Sequence, residues 1–439
     1  MINDLRATLF RWYPVRWTLA ILFLMRGGIY RLFGRRYRAL KDFCWIVRVS
    51  ETRGPRALAR RIVFRTVERC CRETANPVIG YFRADSAARA EAARYAQSGL
   101  GPRDLFRDVM VLKAASDTEK GVILLKYART FAALVALADV TRLMQRYVFV
   151  LEPCWAGYCD PILLMWLTPG QPVPVMCFTE EDYRFVSDVG ASFVPLRMGP
   201  ADWVNADVFK PPAEVAKNYD LVMVANFARH KRHATLFRAL RDVRDRDLRV
   251  LLIGFPWHGR TAQQLRAEGE AIMRNERVQL DIVESVPHAR VSELVSQTKV
   301  FVFLSRKEGD NKALVEAMFA DVPAIVFAQS IGGARSRINS ETGVLATDEE
   351  LPAKIRHMLD NYRVFTPRAW ALAHTGSEAA TRILDDALRN AVTAAGGEYT
   401  RSIVEKTNAP NLAYKRPDER AAFAADYEFI RSCLFSKLA

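Results

Sequence analysis

The chain has 439 residues, half of them hydrophobic, which is enough for two or three domains with their own cores. Its formal charge is +15, but residues 1–65 hold fifteen Lys or Arg against three acids, so twelve of those charges sit there and a uniformly basic globular body is excluded. Seven cysteines (44, 70, 71, 154, 159, 177 and 433) form no CxxC pair and no ladder; Cys154 and Cys159 have no histidine near them, so no zinc site is expected. An odd cysteine count without a secretory signal suits a reducing compartment, and the expected localisation is cytoplasmic.

Along the chain, residues 17–25 come first as an apolar run, too short to span a bilayer. Arg31, Arg35, Arg36 and Arg38 follow, and Trp12, Tyr13, Trp17, Phe23, Tyr30 and Phe33 interleave with the arginines. Such a mixture suits a helix lying in the headgroups of an anionic leaflet. It also suits a helix packed on the body with solvated arginines. Nucleic acid is the third reading, and the apolar run weighs against it, because phosphate binding needs charge more than a greasy patch. Residues 55–98 read as helical.

From about 106 the pattern becomes short strands separated by helices. Strands are expected at 108–113, 121–127, 147–152, 173–178 and 192–196, with helices at 131–145 and 181–189. This is a βαβ pattern and implies a mostly parallel sheet. Asp207-Val208-Phe209-Lys210-Pro211-Pro212 interrupts it as a linker. A second series then runs through strands at 220–224, 248–253, 278–282, 300–304 and 324–327, with helices near 234–241 and 291–297. Gly332-Gly333 and Thr342-Gly343 mark turns, and 350–395 and 417–434 read as helical.

Within the second series, Glu308 falls in the turn after strand 300–304 and Glu316 in the helix that follows. On a continuous helix, eight residues at roughly 100° each leave the two about 80° apart. Both carboxylates can then border the carboxyl edge of a parallel sheet, where open α/β sheets bind ligands.

Several ordered motifs over about 192–390 resemble the retaining glycosyltransferases of family 4. They are Val194-Pro195 through Phe209-Lys210-Pro211, Val222-Met223-Val224-Ala225-Asn226 with Lys231, and Glu284-Ser285-Val286-Pro287. They continue with Glu308-Gly309 and Glu316-Ala317-Met318 spaced as Glu-x7-Glu, Pro323, and the two glycine turns. The resemblance implies the GT-B fold, α/β with two Rossmann-like domains facing a cleft, here with a basic helical N-terminal extension. It implies residues 1–100 as that extension, 101–210 as an acceptor-side domain, 211–390 as the sugar-nucleotide domain, and 391–439 as helices packing back on the body.

By the same resemblance, Lys231 faces the donor diphosphate, Glu316 the nucleotide ribose and Glu308 the donor sugar. The backbone amides of Gly309 and Asp310 cap sugar or phosphate oxygens. Leaving-group charge would be met by cations and amides without a metal or other cofactor. The family's usual arginine is replaced by Asn226, for which Arg229 or Arg232 would substitute. A negative Asp310 beside the donor is unusual for the family. No histidine occurs before His230, so the family's N-domain histidine is missing; Glu152, at a strand end, is the speculative acceptor-side residue, or an ordinary strand-end glutamate. His230 and His233 are expected in a loop or at a helix start, Trp257 and His258 at the cleft or in a surface loop, and Arg335 and Arg337 in a solvated loop or within reach of phosphate.

The function implied is hexosyl transfer from a nucleotide-diphosphate sugar to a lipid-linked or polysaccharide acceptor, as in cell-envelope synthesis. The protein is expected to be peripheral on the inner face of the membrane through residues 1–65, without nucleic acid. The alternatives are a non-catalytic scaffold of the same fold and another sugar-nucleotide enzyme such as an epimerase.

Overall fold

The computed structural model describes residues 12–49, 53–73, 85–97, 106–155, 157–168, 170–190, 192–408 and 411–435. The chain divides into two compact units. The first comprises residues 1–197, 383–404 and 416–439, and the second residues 198–382 and 405–415.

The first unit begins with four helices: α1 (Tyr13–Leu32), α2 (Arg36–Val49), α3 (Arg53–Glu73) and α4 (Ser86–Gln97). A glycine lets α1 and α2 approach closely, since a Cβ on Gly27 would lie 2.7 Å from the Phe43 ring. The sheet is built from β1 (Val109–Lys113), β2 (Gly121–Lys126), β3 (Tyr147–Glu152), β4 (Val173–Met176) and β5 (Phe193–Leu196), in that order across the sheet. Its first pair is antiparallel and the others are parallel. β1 to β4 are buried along their whole length, as expected when helices cover both faces.

The helix expected at 131–145 is two helices, α5 (Ala128–Leu137) and α6 (Val140–Arg146). Asp139 breaks them by capping α6, its carboxylate accepting from Arg142 N at 3.1 Å. Then come α7 (Pro161–Leu164) and α8 (Glu180–Val189). α2 and α3 are tied to this body by ion pairs of Arg48 with Asp160, Arg56 with Glu181 and Arg60 with Asp188. The basic helices form the expected helical N-terminal extension, which packs on the first unit's body.

The second unit starts at Met198, ahead of the linker expected at 207–212. The reason is packing: Ala201, Val204 and Phe209 are fully buried in its core. Its six strands are β6 (Tyr219–Val224), β7 (Leu248–Gly254), β8 (Val278–Glu284), β9 (Thr298–Phe303), β10 (Ala324–Phe327) and β11 (Gly343–Ala346). All pairs are parallel, and the order across the sheet is β11-β10-β9-β6-β7-β8. Leu221, Met223, Val250, Leu252, Val300 and Val302 enter one core, while Val222, Leu251, Ile253, Phe301 and Phe303 enter another. Strict alternation with both faces buried is the mark of a parallel sheet between helical layers. Those layers are α9 (His233–Asp242), α10 (Ala262–Met273), α11 (His288–Ser296), α12 (Lys312–Phe319), α13 (Leu351–Asn361) and α14 (Pro367–His374).

The helical stretch expected at 350–395 is broken twice, because α14 opens on Pro367 and Gly376 (φ +104) precedes α15 (Ser377–Ala394). A small hairpin, β12 (Lys406–Thr407) with β13 (Ala413–Tyr414), was not expected from the sequence; it belongs to the second unit. α16 (Glu419–Ala422) and α17 (Ala424–Ser432) complete the first.

Each unit is thus a Rossmann-like α/β layer structure, two in one chain, the composition of the GT-B fold. In the second sheet the chain goes from β6 outward to β8, then returns to the other side of β6 with β9. The strand order reverses between β6 and β9, and the crevice at the carboxyl ends of those two strands is where such sheets take ligands.

Candidate functional site

The two strands flanking that reversal deliver the candidate residues. β6 ends at Val224 and runs through Asn226 into a single 3-10 turn, Arg229–Lys231, before α9. The turn is closed by Arg232 in the left-handed region (φ +68). β9 ends at Phe303 and leads to Glu308 and to Asn311, which caps α12 by accepting from Leu314 N at 2.8 Å. Lys231 Nζ forms an ion pair with Glu308 Oε1, and both side chains are largely buried. The same oxygen accepts from Asn311 Nδ2 at 3.2 Å. Glu308 Oε2 is buried with no hydrogen-bond partner. A carboxylate oxygen desolvated without a donor is costly, so this one is a natural acceptor for a ligand hydroxyl.

The Glu308 turn is held in place by the loop after β10. Glu308 N donates to Ile331 O at 3.0 Å, Ile331 N to Arg306 O at 2.8 Å and Gly333 N to Gly309 O at 3.2 Å. Gly332 sits at φ +136, and a Cβ there would lie 2.1 Å from Glu308 O, so only glycine permits this contact. The amides of Gly309 and Asp310 donate to no acceptor among the described residues. Together with the N-terminus of α12 they offer donors to an anionic or hydroxylic group.

Glu316 lies in α12, its side chain 8% exposed. Its Oε1 is 3.0 Å from His288 Nε2, and His288 opens α11 with its ring set edge-on to Phe209, centroids 5.0 Å apart. Sequence reasoning missed His288. The motif ending at Pro287 stopped one residue short, and the signal available was a histidine directly after the proline that starts a helix.

Other expected site residues are placed differently. Asn226 uses its side-chain oxygen within its own loop, accepting from Ala228 N at 3.3 Å. Arg229 is exposed at the start of the 3-10 turn. Arg232 is not a spare phosphate cation: it pairs with Asp348, donates to Leu304 O at 3.0 Å and stacks 4.4 Å over the Phe327 ring. It fastens the ends of β6, β9 and β11 together. His233 is buried with neither ring nitrogen bonded, and burial, reinforced by Arg260 and Lys231, pulls its pKa down to about 3. It is a neutral core residue. Phe255 and Trp257, at the end of β7, are exposed.

The largest correction concerns Asp310. Its carboxylate does not face a donor site; it turns inward to Arg337, at 2.9 Å, and accepts from Ala201 N at 2.9 Å. Arg337 also meets Asp202 at 2.9 Å, and Asp202 accepts from Thr375 Oγ1 at 2.6 Å and from Gly199 N at 2.8 Å. Arg337 is therefore no solvated loop residue. Burial works against its charge, but two carboxylates outweigh it and raise its pKa above the ordinary guanidinium value. Gly333 is part of the fit, since a Cβ there would lie 2.4 Å from Asp310 Oδ1. Only the backbone of Asp310 is left to a ligand.

Glu152, the acceptor-side candidate of the first unit, is fully buried, with its carboxylate 3.6 Å from Lys126 Nζ. It has the surroundings of the ordinary strand-end glutamate, not of a substrate contact. Among the described residues no group of three or more His, Cys, Asp or Glu side chains is placed to hold a metal ion.

Residues 205–371 match the family model described as glycosyl transferases group 1. The matched segment lies within the second unit and contains the whole β6–β9 site. Comparison with curated proteins returned no match. Among solved structures, sucrose-phosphate synthase from Thermosynechococcus elongatus is 18% identical, with 62% of this chain and 74% of that one covered at a TM-score of 0.49. HepE from Anabaena, in complex with UDP, is 14% identical over 61% of this chain and 78% of its own, at a TM-score of 0.47. A glycosyltransferase from Rickettsia africae is 16% identical over 61% and 76%, at 0.46.

Proposed function

We propose that the protein transfers a sugar from a nucleotide-diphosphate sugar to a lipid-linked or polysaccharide acceptor, with retention at the anomeric carbon and without a metal ion. The observation that carries the donor half is the Lys231–Glu308 pair at the carboxyl ends of β6 and β9, inside the matched segment. An ammonium group has three donors, and Glu308 uses one of them. The others can meet diphosphate oxygens as negative charge builds on the leaving group, alongside the amides of Gly309 and Asp310. Glu308 Oε2 would accept a hydroxyl of the transferred sugar, and Glu316, steadied by His288, the vicinal hydroxyls of the ribose. Arg229 is the exposed cation nearest in sequence to Lys231 and would add long-range attraction for the diphosphate.

The acceptor half is supported by the charge of the first unit. Its basic N-terminal helices suit a protein on the inner, anionic face of a membrane, which would bring it to a lipid-linked substrate.

Thermal shift against UDP, GDP, ADP, dTDP and their common sugar conjugates tests the donor half. Ligand at about 100 times its Kd stabilises a folded protein by roughly 2.7 kcal/mol. One nucleotide should raise the melting temperature of the wild type and fail to do so in Glu316→Ala and Lys231→Ala. A folded sample that responds to none of them sinks the reading and leaves a scaffold of the same fold. Turnover of donor without any acceptor would point to a different sugar-nucleotide enzyme.

A further inference from the structure

Helix α1 packs on α2 and α3. One side, marked by Ala20 and Gly27, is buried, with Gly27 against Phe43 of α2. The opposite side carries Leu22, Met25, Ile29 and Leu32, spaced by three and four residues and so aligned in one stripe. They are 53%, 62%, 50% and 87% exposed, and Phe33 extends the stripe at 76%. Water-facing residues on a surface helix are normally polar; here the polarity is inverted. Trp12, Tyr13 and Trp17 are exposed at the other end of the helix. No described helix is long and apolar enough to cross a membrane.

The charges at the end of the stripe have one sign. Arg31, Arg35, Arg36 and Arg38 are exposed, and none has an acidic partner among the described residues. Of the three acids in residues 1–65, Asp42 is already neutralised by Arg26, at 2.6 Å and 2.8 Å, while Asp4 and Glu51 lie outside the described residues. A second copy is a poor occupant. Two-fold pairing through the stripe would offer those arginines no acidic partner in either helix orientation, since α1 carries no acid.

We infer that the outward stripe of α1 is a membrane-docking face: Leu22, Met25, Ile29, Leu32 and Phe33 enter the headgroup–acyl boundary of an anionic leaflet while Arg31, Arg35, Arg36 and Arg38 bind its phosphates. The helix then lies in the plane of the interface, with α2 and α3 joining it to the α/β body. This deepens the membrane reading given above and rests on it, but it is independent of the donor site.

The test is co-sedimentation of the full chain with vesicles of phosphatidylcholine alone or mixed with phosphatidylglycerol. Wild type is compared with Leu22→Asp/Ile29→Asp and with Arg31→Ala/Arg35→Ala/Arg36→Ala. Wild type should bind the anionic vesicles, less so as salt is raised. Each variant should lose on the order of tenfold in partitioning, with its melting temperature and nucleotide response unchanged. If wild type binds and the face variant binds equally well, the face is wrong although the membrane reading stands. If wild type binds neither vesicle, both fail. If the face variant instead turns a dimer into a monomer in light scattering with vesicle binding unchanged, the stripe is a self-interface and the inference falls.

Discussion

His288 Nε2 lies 3.0 Å from Glu316 Oε1, joining the first residue of α11 to the middle of α12. In the proposed donor complex this fixes the rotation of a carboxylate that must accept two neighbouring hydroxyls. His288→Ala should therefore raise the KM for the donor nucleotide about tenfold, the worth of one hydrogen bond to a charged group, with kcat nearly unchanged. Glu316→Ala should raise it further. An effect confined to kcat in steady-state kinetics would remove His288 from donor binding.

Lys231 and Glu308 neutralise one another in the absence of ligand. Lys231→Ala should lower kcat/KM by roughly 10²–10³, the usual loss for one charge-stabilising donor. Glu308→Gln keeps the shape and an acceptor but removes the charge. It should retain nucleotide binding by thermal shift while losing transfer. Addition of EDTA should leave transfer by the wild type unchanged. Loss of activity restored by a divalent cation would contradict the metal-independent reading.

Arg337 stands between Asp202 and Asp310, all three buried. Removing the cation leaves two carboxylates without a counter-charge, so Arg337→Leu should destabilise the second unit by about 3–5 kcal/mol. Denaturant unfolding of single and double variants measures this. Asp202→Asn/Asp310→Asn in the Arg337→Leu background should recover much of the loss, because the buried charges are then gone.

Glu119 in the first unit accepts from Lys113 Nζ at 2.8 Å, Thr400 N at 2.7 Å and Arg401 Nε at 3.0 Å. Burial pushes its pKa up, but these donors outweigh burial and hold the carboxyl at about 2, against an ordinary 4.5. A depressed pKa means that the folded state gives up its proton more readily than the unfolded state. The resulting stability is fully present above the unfolded value, 4.5, and is lost as pH falls towards about 2. It amounts to on the order of 3 kcal/mol. Glu119→Gln should flatten the acid limb of stability against pH over that window. An unchanged acid limb would mean that other carboxylates govern it.

Much of the Glu308–Glu316 element was legible in the sequence because it is local. The apolar run of β9, the capping Asn311 and the apolar face of α12 are neighbours in the chain, so periodicity and spacing place Glu308 and Glu316. Lys231 was singled out by the family resemblance, from its place after a strand and before a helix. Asp310 was misread because its partner Arg337 lies 27 residues on and Asp202 lies 135 residues from that arginine. Arg232 was misread for the same reason, its counter-charge being Asp348, 116 residues away.

By itself the sequence determined the two βαβ series, the mostly parallel sheets and the concentration of charge in residues 1–65, because these follow from residue order and composition. Only the tertiary structure decided which charged side chains are left for a ligand. It turned Asp310 and Arg232 inward, shut Glu152 in beside Lys126, set His288 against Glu316 and left the apolar stripe of α1 facing out. The physical reason is that a charge keeps its freedom or loses it according to what folds against it, and those partners lie far away in the chain.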